Sequence, residues 1–350
     1  MAQSHVFAAV GGYYGAKDKG GMAGVFRHEV GGSGWTYALK ELETFTVFVN
    51  PRDTSQVFAG TTDGVYRSTD SGATFKRANF PDKGVQIWSF MIDPANPKRM
   101  LAGGSPVSVY RSEDGGESWT KRPDPAIAAR AKMPFACRVM RFAPHPRKAG
   151  EIYAVLEVSG VMRSTDGGES WSDCSEHLVR LSEQEPRLRS KLVSDTEAEG
   201  MLDGHAMSIS DAAPGAVFLA CRMGLFRSDD GAQSWKDIEV GRFSPLTYAR
   251  DIRPAPQDPT RLYACLSVHA TGDTGSLARS DDLGKNWRRI DHGVPIHATF
   301  MQLALHARDA DQVYGAARNG QIVGTQDFGK SWHEYRLPQG CEDVYGIACG

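Results

Sequence analysis

The chain lacks the features that would tie it to a membrane or a nucleic acid. Its 350 residues carry 40 Lys and Arg against 42 Asp and Glu, and a net charge of −2 favours neither a nucleic acid nor an acidic membrane as partner. No apolar run approaches the length of a membrane span, and the first residues show neither the basic region nor the apolar stretch of a signal peptide. We therefore expect a cytoplasmic protein.

The cysteines also lack a pattern. None of the six forms a C-x-x-C pair, which argues against a redox motif or a zinc ribbon. Cys221 and Cys265 fall at a repeat position that other copies fill with glycine, valine or alanine. We interpret them as small packing residues and not as a disulfide framework.

What the chain does have is one short phrase, S-x-D-x-G-x-x-W, six times. The aspartate can accept the N–H groups of a tight turn, the glycine can adopt a positive φ, and the aromatic residue can begin the next strand. Phe75 replaces tryptophan in the first copy, and Thr325 replaces serine in the last. The copies span residues 68–75, 112–119, 164–171, 228–235, 280–287 and 325–332.

On these motifs the chain resembles the Asp-box (BNR) repeat family of β-propellers, which includes sialidases, some endoglucanases, sorting-receptor ectodomains and photosystem II assembly factors. It is most similar to the single-domain seven-bladed propellers grouped with sialidase-like and assembly-factor-like proteins. The resemblance implies that each box is a turn on the rim, away from the ligand face. It also implies that the six box aspartates are structural.

The spacing of the boxes predicts the number of blades. Successive box aspartates lie 44, 52, 64, 52 and 45 residues apart, which suits four short strands per blade with two lengthened loops. Gly24 to Arg27 and Trp35 preserve parts of a decayed seventh copy. We predict an all-β, seven-bladed propeller over residues 1–350. Strands at His5 to Val10 and Val344 to Cys349 should pair and close the ring.

Two segments interrupt the repeat. Residues 172–204 carry leucines near helical spacing, which predicts a short amphipathic helix that is either a lid over the site or a surface excursion. Residues 11–21 form a glycine-rich loop with two aromatics, Tyr13 and Tyr14. These could stack on a planar or sugar ligand, or the loop could simply be flexible.

Arginines supply the first candidate site. Counting back from the proline turns puts Arg138 and Arg250 at one position of the inner strands, where another blade has Trp88. Guanidinium groups near the axis need carboxylates, waters or an anionic ligand, and Asp251 or Glu157 could instead neutralise them. The candidate substrate-binding residues are Arg138, Arg250, Arg222, Arg318, Trp88, Tyr13, Tyr14 and Glu157.

Histidines supply the second candidate site. His205, His269 and His297 all fall on loops or strand starts of the predicted ligand face, where they could act as general acid and base. A divalent metal is possible, although no H-x-x-x-H spacing supports it and no cofactor is certain. Three merely polar loop residues are the alternative. The candidate catalytic residues are His205, His269, His297 and Asp251.

Family activities do not transfer directly. The F/Y-R-I-P motif of sialidases is absent, and the endoglucanases use two propellers with paired aspartates. The residues slightly favour a hydrolase or lyase that acts on a small anionic molecule at the axial mouth. The alternative is a non-catalytic binding or assembly scaffold that docks an acidic protein segment on the same face. No nucleic acid or membrane partner is expected.

Overall fold

The computed structural model describes residues 3–12 and 21–350, so Tyr13 and Tyr14 lie outside the described residues. Within these ranges, 28 strands form seven antiparallel four-stranded sheets. The chain is therefore a seven-bladed β-propeller, as predicted.

The strands follow one another blade by blade. The first blade contains β1 (His5–Val10), β2 (Gly24–Glu29) and β3 (Trp35–Lys40). The second and third contain β4 (Thr44–Val49), β5 (Val57–Thr61), β6 (Gly64–Ser68), β7 (Lys76–Arg77), β8 (Gln86–Ile92), β9 (Met100–Ser105), β10 (Ser108–Ser112) and β11 (Thr120–Lys121). The fourth contains β12 (Val139–Pro144), β13 (Ile152–Leu156), β14 (Gly160–Ser164) and β15 (Ser172–Asp173).

The remaining blades follow the same plan. The fifth and sixth contain β16 (Gly204–Ser210), β17 (Ala213–Cys221), β18 (Gly224–Ser228), β19 (Lys236–Asp237), β20 (Tyr248–Pro254), β21 (Leu262–Ser267), β22 (Gly275–Ser280) and β23 (Arg288–Arg289). The seventh contains β24 (Phe300–Leu305), β25 (Val313–Ala317), β26 (Ile322–Thr325) and β27 (His333–Glu334), and β28 (Val344–Cys349) is the last strand.

The last strand closes the ring. β28 pairs antiparallel with β1 and becomes the inner strand of the first blade, with Val6 opposite Cys349. The N–H of His5 donates to the carbonyl of Gly350 at 2.7 Å, and the reverse bond is 3.0 Å. This closure confirms the prediction and satisfies backbone groups that an open ring would leave at two sheet edges.

The helical content is confined to short segments. In the described ranges the helices are α1 (Glu176–Gln184), α2 (Glu199–Leu202) and the 3-10 turns Pro186–Leu188 and Val240–Arg242. None of them is long and apolar enough to cross a membrane.

The Asp boxes are turns that hold their own backbone. In the box of the fourth blade, Ser164 donates to Asp166 Oδ1 at 2.7 Å, and the N–H groups of Glu169 and Ser170 donate to the same oxygen. Gly168 has a φ of 89°, the left-handed value that the motif requires. Burial alone would raise the pKa of Asp166, but these bonds, with that of the Ser170 hydroxyl, hold it at about 2.

The antiparallel order distributes the loops between two faces. The boxes and the proline turns after the inner strands share one face, which we call the box face. The loops between second and third strands, and those that lead into each inner strand, share the other, the loop face. The predicted site residues on loops belong to the loop face.

Replacing Asp166 by Ala should therefore lower stability and leave the fold intact. We expect a loss of about 1–2 kcal/mol in the free energy of unfolding, because several turn donors lose their acceptor, and a fall of a few degrees in Tm. Calorimetry with Asp311→Ala as control checks this, since the exposed Asp311 side chain accepts no hydrogen bond from described residues. Equal Tm values for the two variants would contradict a structural role for the box.

Candidate functional site

A β-bulge recurs in all seven inner strands. In each strand one residue has no partner in the ladder, for example Trp88 between the paired residues Ile87 and Ser89. These seven residues together line a cavity of about 20 Å³ on the axis. The ring consists of Phe45, Trp88, Met140, His205, Arg250, Met301 and Tyr345.

The ring corrects one predicted position. Arg250 and Trp88 occupy it as expected, but Arg138 does not, because Met140 takes the place in its blade. The prediction took Pro144 as the turn proline of this blade, but Pro144 is the last residue of β12. The proline equivalent to those of the other blades is Pro146. The prediction therefore chose a residue two positions too early in this strand.

Arg138 nevertheless reaches the ring from its edge. Its guanidinium carbon lies 4.0 Å from the centre of the Trp88 ring, a cation–π geometry, and the group forms an ion pair with Glu157. The Arg138 side chain is only 4% exposed. Burial and the nearby Asp203 carboxylate raise the pKa of Glu157 despite the opposing pull of Arg138. The ion pair places Glu157 to neutralise Arg138, which is one of the two alternatives that the sequence left open.

Arg250 and His205 are joined by a residue that sequence reasoning missed, Tyr248. Arg250 Nη1 donates to the Tyr248 hydroxyl at 3.3 Å, and that hydroxyl lies 3.3 Å from His205 Nε2. His205 Nδ1 lies 2.7 Å from the carbonyl of Ala249, and because a carbonyl only accepts, Nδ1 carries the proton. His205 Nε2 is therefore an acceptor.

The electrostatics keep His205 neutral. Burial lowers its pKa, and the charge of Arg250 lowers it further, while Asp203 opposes both. Asp203 Oδ2 lies 3.4 Å from Nε2, so the carboxylate would stabilise a proton taken up there. Of the three predicted histidines, this one is placed beside an arginine at the axis.

The other two histidines are elsewhere. His269 and His297 are exposed on loops, and neither lines the axial cavity. The His269 carbonyl accepts a bond from Thr299, and the His297 N–H donates to Gln321. The expected convergence of three histidines is therefore wrong. In residues 3–12 and 21–350, no group of three or more His, Cys, Asp or Glu is placed to hold a metal ion.

The remaining predicted residues divide between the two halves of the axis. Arg318 lies at the loop face. Its guanidinium carbon is 5.9 Å from the centre of the Tyr345 ring, and its Nη2 is 3.7 Å from the sulfur of Met301. Asp251 is fully buried further down the channel, where it accepts a bond from Arg253, and it lines neither axial cavity. Its placement favours a structural role over the predicted catalytic one.

Arg222 connects the ring to the long insertion. Its guanidinium donates to Glu199 at 2.9 Å and to Asp203 at 2.8 Å. The other oxygen of Glu199 accepts the N–H groups of Leu192, Val193 and Ser194. Sequence reasoning missed Glu199, because it lies in an insertion that has no counterpart in the other repeats.

The insertion is helical, as predicted, and part of it belongs to the core. Leu178, Leu188 and Met201 are buried with Trp235 in the cluster between the fourth and fifth blades. Its tip is different, because Leu192 is 73% exposed. The insertion is thus wedged between two blades, and its role as a lid stays a prediction.

The comparisons with known proteins agree on the fold. The family model described as sortilin, neurotensin receptor 3 (Sortilin-Vps10) matches residues 63–201, less than half of the chain. No curated protein matches. The GH74 xyloglucanase from Xanthomonas campestris superposes with a TM-score of 0.64 at 18% identity, covering 99% of this chain and 52% of that one.

Two further structures are similar. An ancestral GH74 enzyme gives a TM-score of 0.58 at 14% identity, covering 88% of this chain and 38% of that one. The structure of YCF48 bound to D1 peptide gives a TM-score of 0.52 at 17% identity, covering 83% of this chain and 80% of that one. This chain thus spans about half or less of the two GH74 enzymes, and identities this low establish the propeller fold alone.

Two leucines of the insertion test whether it belongs to the core. Leu188 is 2% exposed and Leu192 is 73% exposed. Leu188→Ala should cost about 2–4 kcal/mol in the free energy of unfolding because it opens a cavity, whereas Leu192→Ala should cost almost nothing. Urea unfolding measures both. Two equally stable variants would mean that the insertion does not contribute to the core.

Glu199 should make stability depend on pH. Burial would raise its pKa, but the N–H groups of Val193, Leu192 and Ser194 hold it at about 2, below the usual 4.5. A depressed pKa stabilises the fold above pH 4.5, and this contribution disappears as the pH falls toward 2. Glu199→Gln should therefore be about 2 kcal/mol less stable at pH 7, with a gap that narrows at pH 3. Unfolding curves at both pH values check it.

The matched control is Glu197→Gln, whose exposed side chain forms no hydrogen bond or ion pair with described residues. It should follow the wild type at both pH values. A constant gap between Glu199→Gln and wild type across this range would show that the carboxylate charge is not what matters.

Proposed function

We propose that this Asp-box β-propeller is a binding protein that docks an acidic segment of a protein partner on its loop face. The observation that carries the proposal is the position of the exposed apolar side chains. In the described ranges, the large hydrophobic residues that are strongly exposed are Leu192, Val193 and Val268, at 73%, 57% and 47%. All three lie in loop-face segments, and apolar groups exposed on one face favour a protein-binding surface.

The loop face also offers positive charge. Arg250 is partly buried, and within the described residues its side chain contacts no carboxylate at ion-pair distance. Its partner is the neutral hydroxyl of Tyr248. A partner carboxylate that places one oxygen in the axial cavity, in the space of one water molecule, would give Arg250 a charged acceptor. Such bonds are about twice as strong as neutral ones.

The size of the axial cavity favours docking over enclosure of a substrate. At about 20 Å³ the cavity has room for roughly one water molecule and none for a sugar or an aromatic acid. A peptide that lies across the face needs no deep pocket. YCF48, which shares the fold, has been solved with a bound peptide, and this supports the plausibility of a protein partner here.

The enzymatic alternative stays a prediction. It depends on His205, whose Nε2 is an unprotonated acceptor close to Arg250 and Asp203. Against it, the His205 side chain is only 1% exposed, and His269 and His297 lie outside the axial cavity. A hydrolase or lyase acting on a small anion would need a substrate space that the described residues leave too small.

Peptide selection tests the docking proposal. A random peptide library displayed on phage is selected on the wild-type chain. We expect enrichment of peptides rich in Asp and Glu with apolar residues, bound about tenfold or more tightly by wild type than by Arg250→Gln. Binding should weaken as salt rises. A Leu192→Ser, Val193→Ser double variant should also weaken it.

Arg147→Gln is the matched control, because this exposed arginine lies at a proline turn of the box face. It should bind the selected peptides like the wild type. Selected peptides without acidic enrichment, or with equal affinity for wild type and Arg250→Gln, would refute docking of an acidic segment on the loop face.

A further inference from the structure

A second, much larger cavity occupies the other half of the axis. It has a volume of about 370 Å³ and lies between six of the seven inner strands. Pro51, Pro144 and Pro256 are among its lining residues, so it opens among the proline turns of the box face. None of the predicted site residues except Trp88 lines it. Its volume is in the range of small-molecule binding sites.

A layer of side chains separates the two axial cavities. Trp88, Met140, Arg141 and Gln302 line both of them. The Gln302 side-chain oxygen accepts the N–H of Ile347 at 2.7 Å, which fixes the amide. Within the described part of the chain its nitrogen makes no hydrogen bond and remains available as a donor. The inner end of the box-face cavity is therefore polar.

The walls of this pocket are mainly apolar. Phe48, Phe90 and Phe142 line it from three successive blades, and Leu305 and Ile347 line it from two others. Such walls bind aliphatic or aromatic groups by removing them from water, at about 25 cal/mol for each Å² buried. A free inorganic anion would leave these surfaces uncovered.

Two arginines face the pocket and share one carboxylate. Arg253 Nε donates to Asp251 Oδ2 at 2.9 Å, and that oxygen also accepts the N–H of Leu303 at 3.0 Å. Arg141 Nη1 lies 3.4 Å from the other oxygen of this carboxylate, Asp251 Oδ1. No other carboxylate lies within ion-pair distance of either arginine among residues 3–12 and 21–350. The pair and Asp251 therefore carry a net charge of +1.

The surplus charge is partly desolvated. Arg141 is 17% exposed and Arg253 26%, and both line the pocket. Burial and the neighbouring charge of Arg253 lower the pKa of Arg141 to about 10. A buried cation without a full counter-ion is costly, so an anion that enters the pocket is favoured.

We propose that the box-face pocket binds a small monocarboxylate with an apolar body. The carboxylate pairs with Arg141 and Arg253 and accepts from the Gln302 amide, and the apolar body lies against the phenylalanine walls. One negative charge matches the surplus of +1, and a volume of about 370 Å³ accommodates a medium-chain fatty acid or an arylalkanoic acid. This site is distinct from the loop-face surface and does not depend on its function.

Titration calorimetry with octanoate and 3-phenylpropionate tests the pocket. Octan-1-ol and 3-phenylpropan-1-ol are neutral probes of the same shape. At least one acid should bind about tenfold or more tightly than its alcohol, and Arg253→Gln should weaken the acid about tenfold and leave the alcohol unchanged. Asp251→Asn, which raises the surplus charge, should tighten acid binding.

Further variants keep the test decisive if a buried substitution fails to fold. Ala307 lines the pocket at its mouth on a surface turn, so Ala307→Trp should block acid and alcohol alike. Arg147→Gln on the same face should bind octanoate like the wild type. The proposal is overturned if neither acid binds, if acid and alcohol bind equally, or if Ala307→Trp has no effect.

Discussion

One unpaired residue in each inner strand determines what the axis of this propeller presents. A bulge turns a side chain out of the ladder and toward the centre, and seven such bulges at the same height create a ring. The scaffold fixes where the ring lies, and the seven residue types decide what it can do. Here five aromatic or thioether side chains fill most of the space, and His205 and Arg250 contribute the two basic groups.

The residues that follow the bulges form the next layer of side chains along the axis. Arg141 and Asp251 follow the bulges of the fourth and sixth blades, and Ala206 holds the same position in the blade between them. The guanidinium of Arg141 lies 3.4 Å from Asp251 Oδ1, so the two charged side chains interact across the intervening blade.

The scaffold was largely predictable from the sequence, because its signals are local and repeated. The box aspartates, the glycines with positive φ and the closing strands all follow from short motifs whose physics is contained within a few residues. The site was less predictable, because its contacts join residues far apart in the chain. Arg141 and Asp251 are an example, and no spacing pattern connects them. Arg138 was misplaced because two prolines stand two residues apart, Pro144 at the end of β12 and Pro146 in the turn that follows.

Trp88, Met140, Arg141 and Gln302 belong to the walls of both cavities and so couple the two halves of the axis. Because Arg141 lines both cavities, a charge placed in one of them would act on an occupant of the other across a single side chain. A substitution at any of these four residues would change the shape of both cavities at once.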